Sequence, residues 1–548
     1  MISVSRFLRK IQMPAMMAVA MLAMSSCLDE SPKSLLAEDK AYDTPANLYI
    51  NAVATLYNCI GGSSDSQGII GTGRGVYDYN TFTTDEAMLP TRGGDWYDGG
   101  LWQNMYLHTW TPSDQTLNDT WNYLYKVIIL CNHSLSVIDK HKSMLTDART
   151  AAYKAEVTAL RSLFYYELLD MFGNVPVVTS ETTKLSDARQ IGRSRLYARI
   201  IADLQQSLPY LPDERSNYEG DYYGRMTRPV AHFLLARLFL NSEVYADDDW
   251  TDGQRPDGST MLFDIDGTKM NAWEACIYYC DKIDAEGYRL ESDYAANFKV
   301  HNEQSVENIF TVPMDKVKYQ NQFWYLFRSR HYAHGSAIGM DAENGSSATL
   351  STVHAYGYGT SGQDSRYAIN FYSDTLRVDG NIVRLDNGDP LIYRPLAIAL
   401  DLTGTEYMQT AGARMAKYEI DRTAHADGKL QDNDIVVFRY ADVLLMRAEA
   451  KVRNGDSGYA DLNAVRSRAG MPAREATLDN ILQERLLELM WEGSRRPDLV
   501  RFGLFSKAYD QRPQLPGEES GYTTVFPIPD NALEMNENLS QNPGYSKE

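Results

Sequence analysis

The chain has 548 residues, with 53 basic and 73 acidic side chains and a formal net charge of −20. So large an acidic excess disfavours nucleic acid and anionic membrane surfaces as partners. The five cysteines include no CxxC pair, and the absence of HExxH, GxSxG and Cys/His pairing leaves no motif-level case for a metalloenzyme or a nucleophile-dependent hydrolase.

Residues 1–26 read as a cleavable signal, because Arg6, Arg9 and Lys10 precede an apolar stretch, Met13 to Met24, too short to span a bilayer comfortably. Ser25 and Ser26 then lead into Cys27, the small-residue and cysteine arrangement that a lipoprotein processing site requires, although Met24 stands where Leu is usual. Cys27 is therefore expected to become a lipidated N-terminus. Removing the three basic residues leaves 50 basic against 73 acidic, a mature balance of −23. No later segment approaches the length of a transmembrane helix, so the rest of the chain is expected to sit on a membrane without crossing it.

Helical patterns follow at Asn47–Asn58, Thr116–Asp139, Ala151–Phe172, Arg228–Leu240, Asp434–Arg453, Ser457–Ala469 and Leu478–Trp491. In the second, Trp121, Leu124, Tyr125, Ile128 and Leu135 recur at spacings of three, four or seven and so share one face, which must pack against another helix. The third ends in Phe172-Gly173-Asn174-Val175-Pro176, where glycine can take the left-handed C′ conformation and proline stops continuation. Thr477 is a plausible N-cap for the last helix. Trp121 and Trp491, on helical faces, are assigned to the core.

Between these patterns the character changes. From about residue 61 to 112 and from about 245 to 431 the chain is rich in Gly, Asp, Asn, Tyr and His, with few clear helices. Long irregular segments of this kind are functional or disordered, and their aromatic content argues against disorder. Within them, Gly71–Gly75 is read as lacking the following helix that a nucleotide loop needs. Asp264-Ile265-Asp266-Gly267 hints at calcium, but Lys269 occupies the position where an EF-hand needs glycine. Cys276 and Cys280 lie at helical i,i+4 spacing, too far apart for an unstrained disulfide within one helix, and are read as buried thiols. Neither metal nor cofactor is expected.

Taken together, these elements predict a mainly α protein: an irregular α-superhelix of helix pairs, with long loop-rich insertions. Several blocks resemble the SusD/RagB lipoproteins, in the order that family uses. They run from Ala52-Val53-Ala54-Thr55-Leu56-Tyr57-Asn58 through Ala159–Tyr166 with its Phe-Gly-x-Val-Pro ending, to Arg439–Ala450, Leu462–Gly470, Glu484–Gly493, Asp498–Gly503 and the tail with Pro527-Ile528-Pro529 and Gln541-Asn542-Pro543-Gly544-Tyr545. The resemblance implies four tetratricopeptide-like helix pairs supporting a loop-built ligand face, a glycan ligand, no catalysis, and a SusC-like TonB-dependent transporter that the protein caps at the outer membrane. On that reading residues 27–548 form a single unit, with a helical scaffold over about 40–245 and 430–505, the ligand face over about 61–112 and 245–431, and an extended tail over 506–548. Glu484, Glu488 and Glu492, beside Arg485, Arg495, Arg496, Asp498 and Arg501, are then read as an ion-pair network fixing the last helix and a strand-like segment after it.

Four tryptophans, Trp96, Trp102, Trp110 and Trp121, crowd into a short stretch, the first three outside any strong helical pattern. Sugar rings stack their C–H faces on flat aromatics while their hydroxyls call for carboxylates, amides and guanidiniums, so Arg92, Asp95, Trp96 and Trp102 are the candidate ligand residues in an early loop. The family's second contact loop, in the middle of the chain, points to Tyr319, Trp324 and Tyr325. Two other readings stay open: a peptide-binding member of the same architecture, resembling RagB, and a surface glycoside hydrolase.

Overall fold

In the computed structural model, residues 38–61, 68–71, 73–317, 328–424 and 431–546 are described. Cys27, Tyr319, Trp324 and Tyr325 lie outside them. The chain divides into residues 1–51 and 52–548. In the first unit two short helices, Glu38–Ala41 and Pro45–Ala52, are joined by a turn in which Thr44 Oγ1 accepts the Asn47 N–H at 3.1 Å.

The second unit is mainly helical. After α1 (Val76–Phe82) and α2 (Leu101–Leu107), the long helices α3 (Gln115–His141) and α4 (Asp147–Phe172) pack against each other. Trp121, Leu124, Tyr125 and Ile128 of α3 are buried, as their spacing demands. From Ala155 onward α4 is buried almost all round, because α5 (Arg193–Ser207) packs on it as well. Its end is set by Gly173, at φ +64°, where an added Cβ would lie 2.7 Å from the Trp250 ring. The succession continues through α6 (Arg228–Leu240), α7 (Ala272–Ala285), α9 (Tyr440–Arg453), α10 (Tyr459–Arg468) and α11 (Leu478–Leu489), in tetratricopeptide-like pairs; the short α8 (Tyr332–Ile338) stands apart from it.

Four expectations are corrected. Helix α7 falls inside the stretch read as loop-rich, yet it packs between α6 and α9; a full capping box between Asn271 and Glu274 starts it. Helix α9 begins only at Tyr440, because the β-branched run Ile435–Arg439 pairs antiparallel with Asn308–Val312 instead. The segment after α11 is a helix, α12 (Arg495–Arg501), not strand-like. A helix, α1, does follow Gly75, but the Asp78 carboxylate takes the Arg74 N–H at 2.9 Å, placing negative charge where a phosphate would need to sit. The Asp264–Gly267 segment is the turn of a hairpin, with Lys269 paired to Asp264 at 3.3 Å. Cys59, Cys131, Cys276 and Cys280 are free thiols, three of them buried.

Around α11 the acidic ladder is fully engaged. Glu488 accepts from Arg366 at 2.7 Å and Arg439 at 2.5 Å, and also pairs with Arg468; Glu484 pairs with Arg466 at 2.6 Å; Arg485 bridges Asp442 and Asp498 at 2.6 and 2.7 Å. Surrounding guanidiniums hold the buried Glu488 carboxyl well below the usual carboxylate range against the opposing effect of burial.

Candidate functional site

The early loop builds a ledge. Arg92 and Asp95 exchange backbone hydrogen bonds at 3.0 and 3.4 Å across Gly93 and Gly94, and Gly93 is at φ +71° with the Met408 sulfur 3.2 Å from where a Cβ would stand. The turn throws out Trp96, itself at φ +63°, a conformation uncommon for a bulky aromatic and held here by its surroundings. Its indole lies so close on Gly345 that a Cβ there would be 2.7 Å away, and its Nε1–H donates to the Glu343 carbonyl at 2.8 Å. Trp96 remains only half-buried, and Tyr97 beside it is exposed. Asp95 accepts the Tyr332 hydroxyl at 3.0 Å, which pins a ring that is 46 % exposed at the start of α8. Burial, and then the Asp95 carboxylate, pushes the Tyr332 phenol up to about 12, so it stays a neutral donor.

Two candidate residues stand behind this ledge. Arg92 is 1 % exposed; its guanidinium donates to the Met408 and Ala411 carbonyls at 2.8 and 3.0 Å and to Ser347 Oγ at 3.0 Å. It clips three distant stretches together and presents nothing to solvent. Trp102 is also buried. It donates Nε1–H to Asp98 at 2.8 Å, lies under the Arg328 guanidinium and meets Trp96 edge-on at 6.0 Å, so it supports the Trp96 ring from within. Trp110 is buried as well, donating to the Tyr545 hydroxyl at 2.8 Å. Of the four clustered tryptophans only Trp96 reaches the surface.

Tyr332 also forms one wall of an open cleft of about 1000 Å³, between α8 and the hairpin Arg377–Ile382 with the turn after it. His331, Arg384, Asn387 and Gln409 line it. Sequence reasoning gave no pointer to Tyr332 or this cleft, because neither carries a periodicity or motif. The Asp95 contact with Tyr332 and the Arg92 bond to the Met408 carbonyl tie them to the early loop. The chemistry of ledge and cleft together, a supported aromatic surface edged by carboxylate, amide, hydroxyl and guanidinium groups, is that of a surface for polyhydroxylated ligands.

The comparisons with known proteins agree with this architecture. A family model described as SusD family matches residues 401–545, and one described as "Starch-binding associating with outer membrane" matches residues 66–240. Two separate stretches of the chain are thus similar to SusD-type proteins. Among its SusD relatives, the starch-binding protein SusD of Bacteroides thetaiotaomicron is 25% identical over 99% of this chain and 100% of its own. The structure titled surface glycan-binding protein A from Bacteroides thetaiotaomicron in complex with laminarihexaose superposes with a TM-score of 0.67 at 20% identity, covering 91% of this chain and 99% of that one. A SusD-like structure titled laminarin-binding gives a TM-score of 0.66 at 20% identity over 92% of this chain and 100% of its own. These likenesses establish the fold.

Proposed function

We propose that this protein is a cell-surface lipoprotein that captures a polysaccharide or oligosaccharide and passes it, unaltered, to a SusC-like TonB-dependent transporter in the outer membrane. The observation that carries the reading is the ledge: Trp96 backed by Trp102, locked by its indole N–H, and flanked by Asp95 and Tyr332. A flat, pre-positioned ring loses little entropy on stacking against a sugar, and the carboxylate and phenol beside it match hydroxyl groups that both donate and accept. The names of the relatives, starch-binding and laminarin-binding, support a glycan as cargo. Asp95, Trp96 and Tyr332 are the proposed contacts, with Arg92 and Trp102 acting behind them; Tyr319, Trp324 and Tyr325 are proposed to add a second contact loop. The carboxylate ladder that could suggest acid/base catalysis is saturated by buried arginines, which leaves no carboxyl there free to shuttle a proton. The lipid at Cys27 would hold the protein at the membrane, facing outward.

Affinity electrophoresis of the purified protein through a panel of polysaccharides tests this. At least one polymer should retard the wild type, and Trp96→Ala and Tyr332→Ala should each lower the affinity about tenfold or more while the helical circular dichroism is unchanged. Tight capture of peptides with no glycan retained, or sustained release of sugar from a polymer, would replace this reading with a peptide carrier or a hydrolase respectively.

A further inference from the structure

Buried guanidiniums in this protein are mostly matched to carboxylates: Arg328 to Asp78, Arg439 to Glu307 and Glu488, Arg501 to Glu449. Next to the cleft the pattern breaks. Arg92, Arg330 and Arg414 are all buried, and none has a carboxylate within ion-pair distance among the described residues. Arg92 donates to the Met408 carbonyl at 2.8 Å, and Arg414 to the Ser329 and Gln409 carbonyls at 3.0 and 3.1 Å, so both hang from the strand of chain that edges the cleft. Arg330 is 5% exposed, and its Nε–H has no hydrogen-bond partner among the described residues.

Two of these charges, Arg414 and Arg92, act on His331, and Arg330 precedes it in the chain. The His331 Nδ1 accepts the Ala333 N–H at 3.0 Å, so the ring proton sits on Nε2. Burial, with the Arg414 and Arg92 charges adding to it, holds the imidazole down to about 4 and therefore neutral. His331 is 8% exposed and lines the cleft, and its Nε2–H has no partner among the described residues. Two carboxylates, Asp379 and Asp386, line the cleft alongside Arg384, but both are solvent-exposed and Asp379 pairs with Arg422 at 3.3 Å, while Asp95 near the mouth takes Tyr332 at 3.0 Å. Exposed charges are screened by salt, whereas a charge held in low dielectric acts at longer range, and a cleft walled by protein focuses that field. A buried cation left without a counter-charge is costly to the fold.

We infer that this cleft receives an anionic group of the glycan, a uronate carboxylate or a sulfate ester, accepted by the His331 Nε2–H above a floor made cationic by Arg92, Arg330 and Arg414. The inference rests on the glycan-binding reading and specifies its substrate class. Neutral hydroxyls would satisfy the donor but would leave the cationic floor uncompensated.

The test uses matched polymers differing only in charge: polygalacturonate against its methyl ester, and a sulfated galactan against its desulfated form. Calorimetry with the purified protein should show the charged member of one pair bound at least about tenfold more tightly, with the gap closing as salt rises from about 50 to about 500 mM. The pair that shows the gap identifies carboxylate or sulfate. His331→Asn, which keeps a side-chain acceptor to cap α8 and removes the cleft donor, should abolish most of the gap; Arg384→Ala, on the exposed rim, should narrow it without touching the fold. Equal binding of charged and neutral members in both pairs overturns the inference and leaves glycan binding standing. Loss of the gap in neither variant also overturns it, whereas no binding to any glycan in the wider panel removes the parent reading itself.

Discussion

Single residues carry more of this site than their types disclose. Trp96, Trp102 and Trp110 are alike in sequence context, all three off any apolar periodicity, yet only Trp96 reaches the surface, because Gly345 leaves room for its ring and Glu343 offers a carbonyl to its N–H. That partner stretch is remote in the chain, so the clustering of indoles was legible and their burial was not. Arg92 shows the same limit: a guanidinium in a glycine-rich loop reads as a ligand group, and only the folded chain surrounds it with carbonyls. Another buried residue gives a titration that can be checked. Burial pushes the Glu86 carboxyl from its ordinary 4.5 up to about 8, opposed by the Trp491 N–H that it accepts at 2.5 Å. The folded state thus keeps a proton that the unfolded state releases. The stability this contributes is complete below about pH 4.5 and is lost as pH rises through about 8. Glu86→Gln retains the acceptor and never titrates, so wild-type stability relative to the variant should fall by on the order of 5 kcal/mol over that range, read from urea unfolding at the two ends. A difference that does not change with pH would show that the carboxyl ionises freely.

Elements were legible where local chemistry defines them. Thr477 caps α11, its Oγ1 accepting the Asn480 N–H at 3.2 Å, and Gly173 ends α4, both as read from the sequence. Two of the four corrected elements show why others were missed: an apolar run does not declare its period, and polar flanks hide a helix. Ile435-Val436-Val437-Phe438 continues smoothly into the Ala- and Leu-rich α9, so strand and helix looked like one segment. Helix α7 is flanked by Gly- and Asp-rich chain, which hid a helix that the Asn271 capping box starts cleanly. Gly173 is the sharper test of the termination argument. Gly173→Ala must strain a positive-φ backbone and also displace the Trp250 ring, and should destabilise the protein by about 2–3 kcal/mol, against under 1 kcal/mol for the same change at Gly470, where φ is also positive but nothing lies within 4 Å. Equal losses at the two positions would mean that backbone conformation alone matters.

At the scale of the whole molecule, the family blocks fix a helical scaffold, and the segments between them, which no local rule organises, build the proposed ligand surface. Clusters of ion pairs such as that around Glu488 tie the strand Ile435–Arg439, α10, α11 and the chain near Arg366 to one another. The contributing residues are widely separated, so sequence spacing showed the ladder on α11 but not its partners Arg366 and Lys417. Attachment belongs to the same scale. Cys27→Ala in cells should move the protein from the membrane pellet to the soluble or secreted fraction while purified material keeps its glycan affinity. Retention in the pellet by the variant would place the anchor elsewhere.

The Arg92 clip has a consequence for how binding competence arises. One guanidinium gathers carbonyls from Met408 and Ala411 and a hydroxyl from Ser347, so the early-loop ledge cannot be assembled until chain far downstream has been made and closed over it. With that ledge as the proposed glycan contact, a half-finished or partly opened molecule should keep many of its helices without it, and glycan capture would then report that folding is complete.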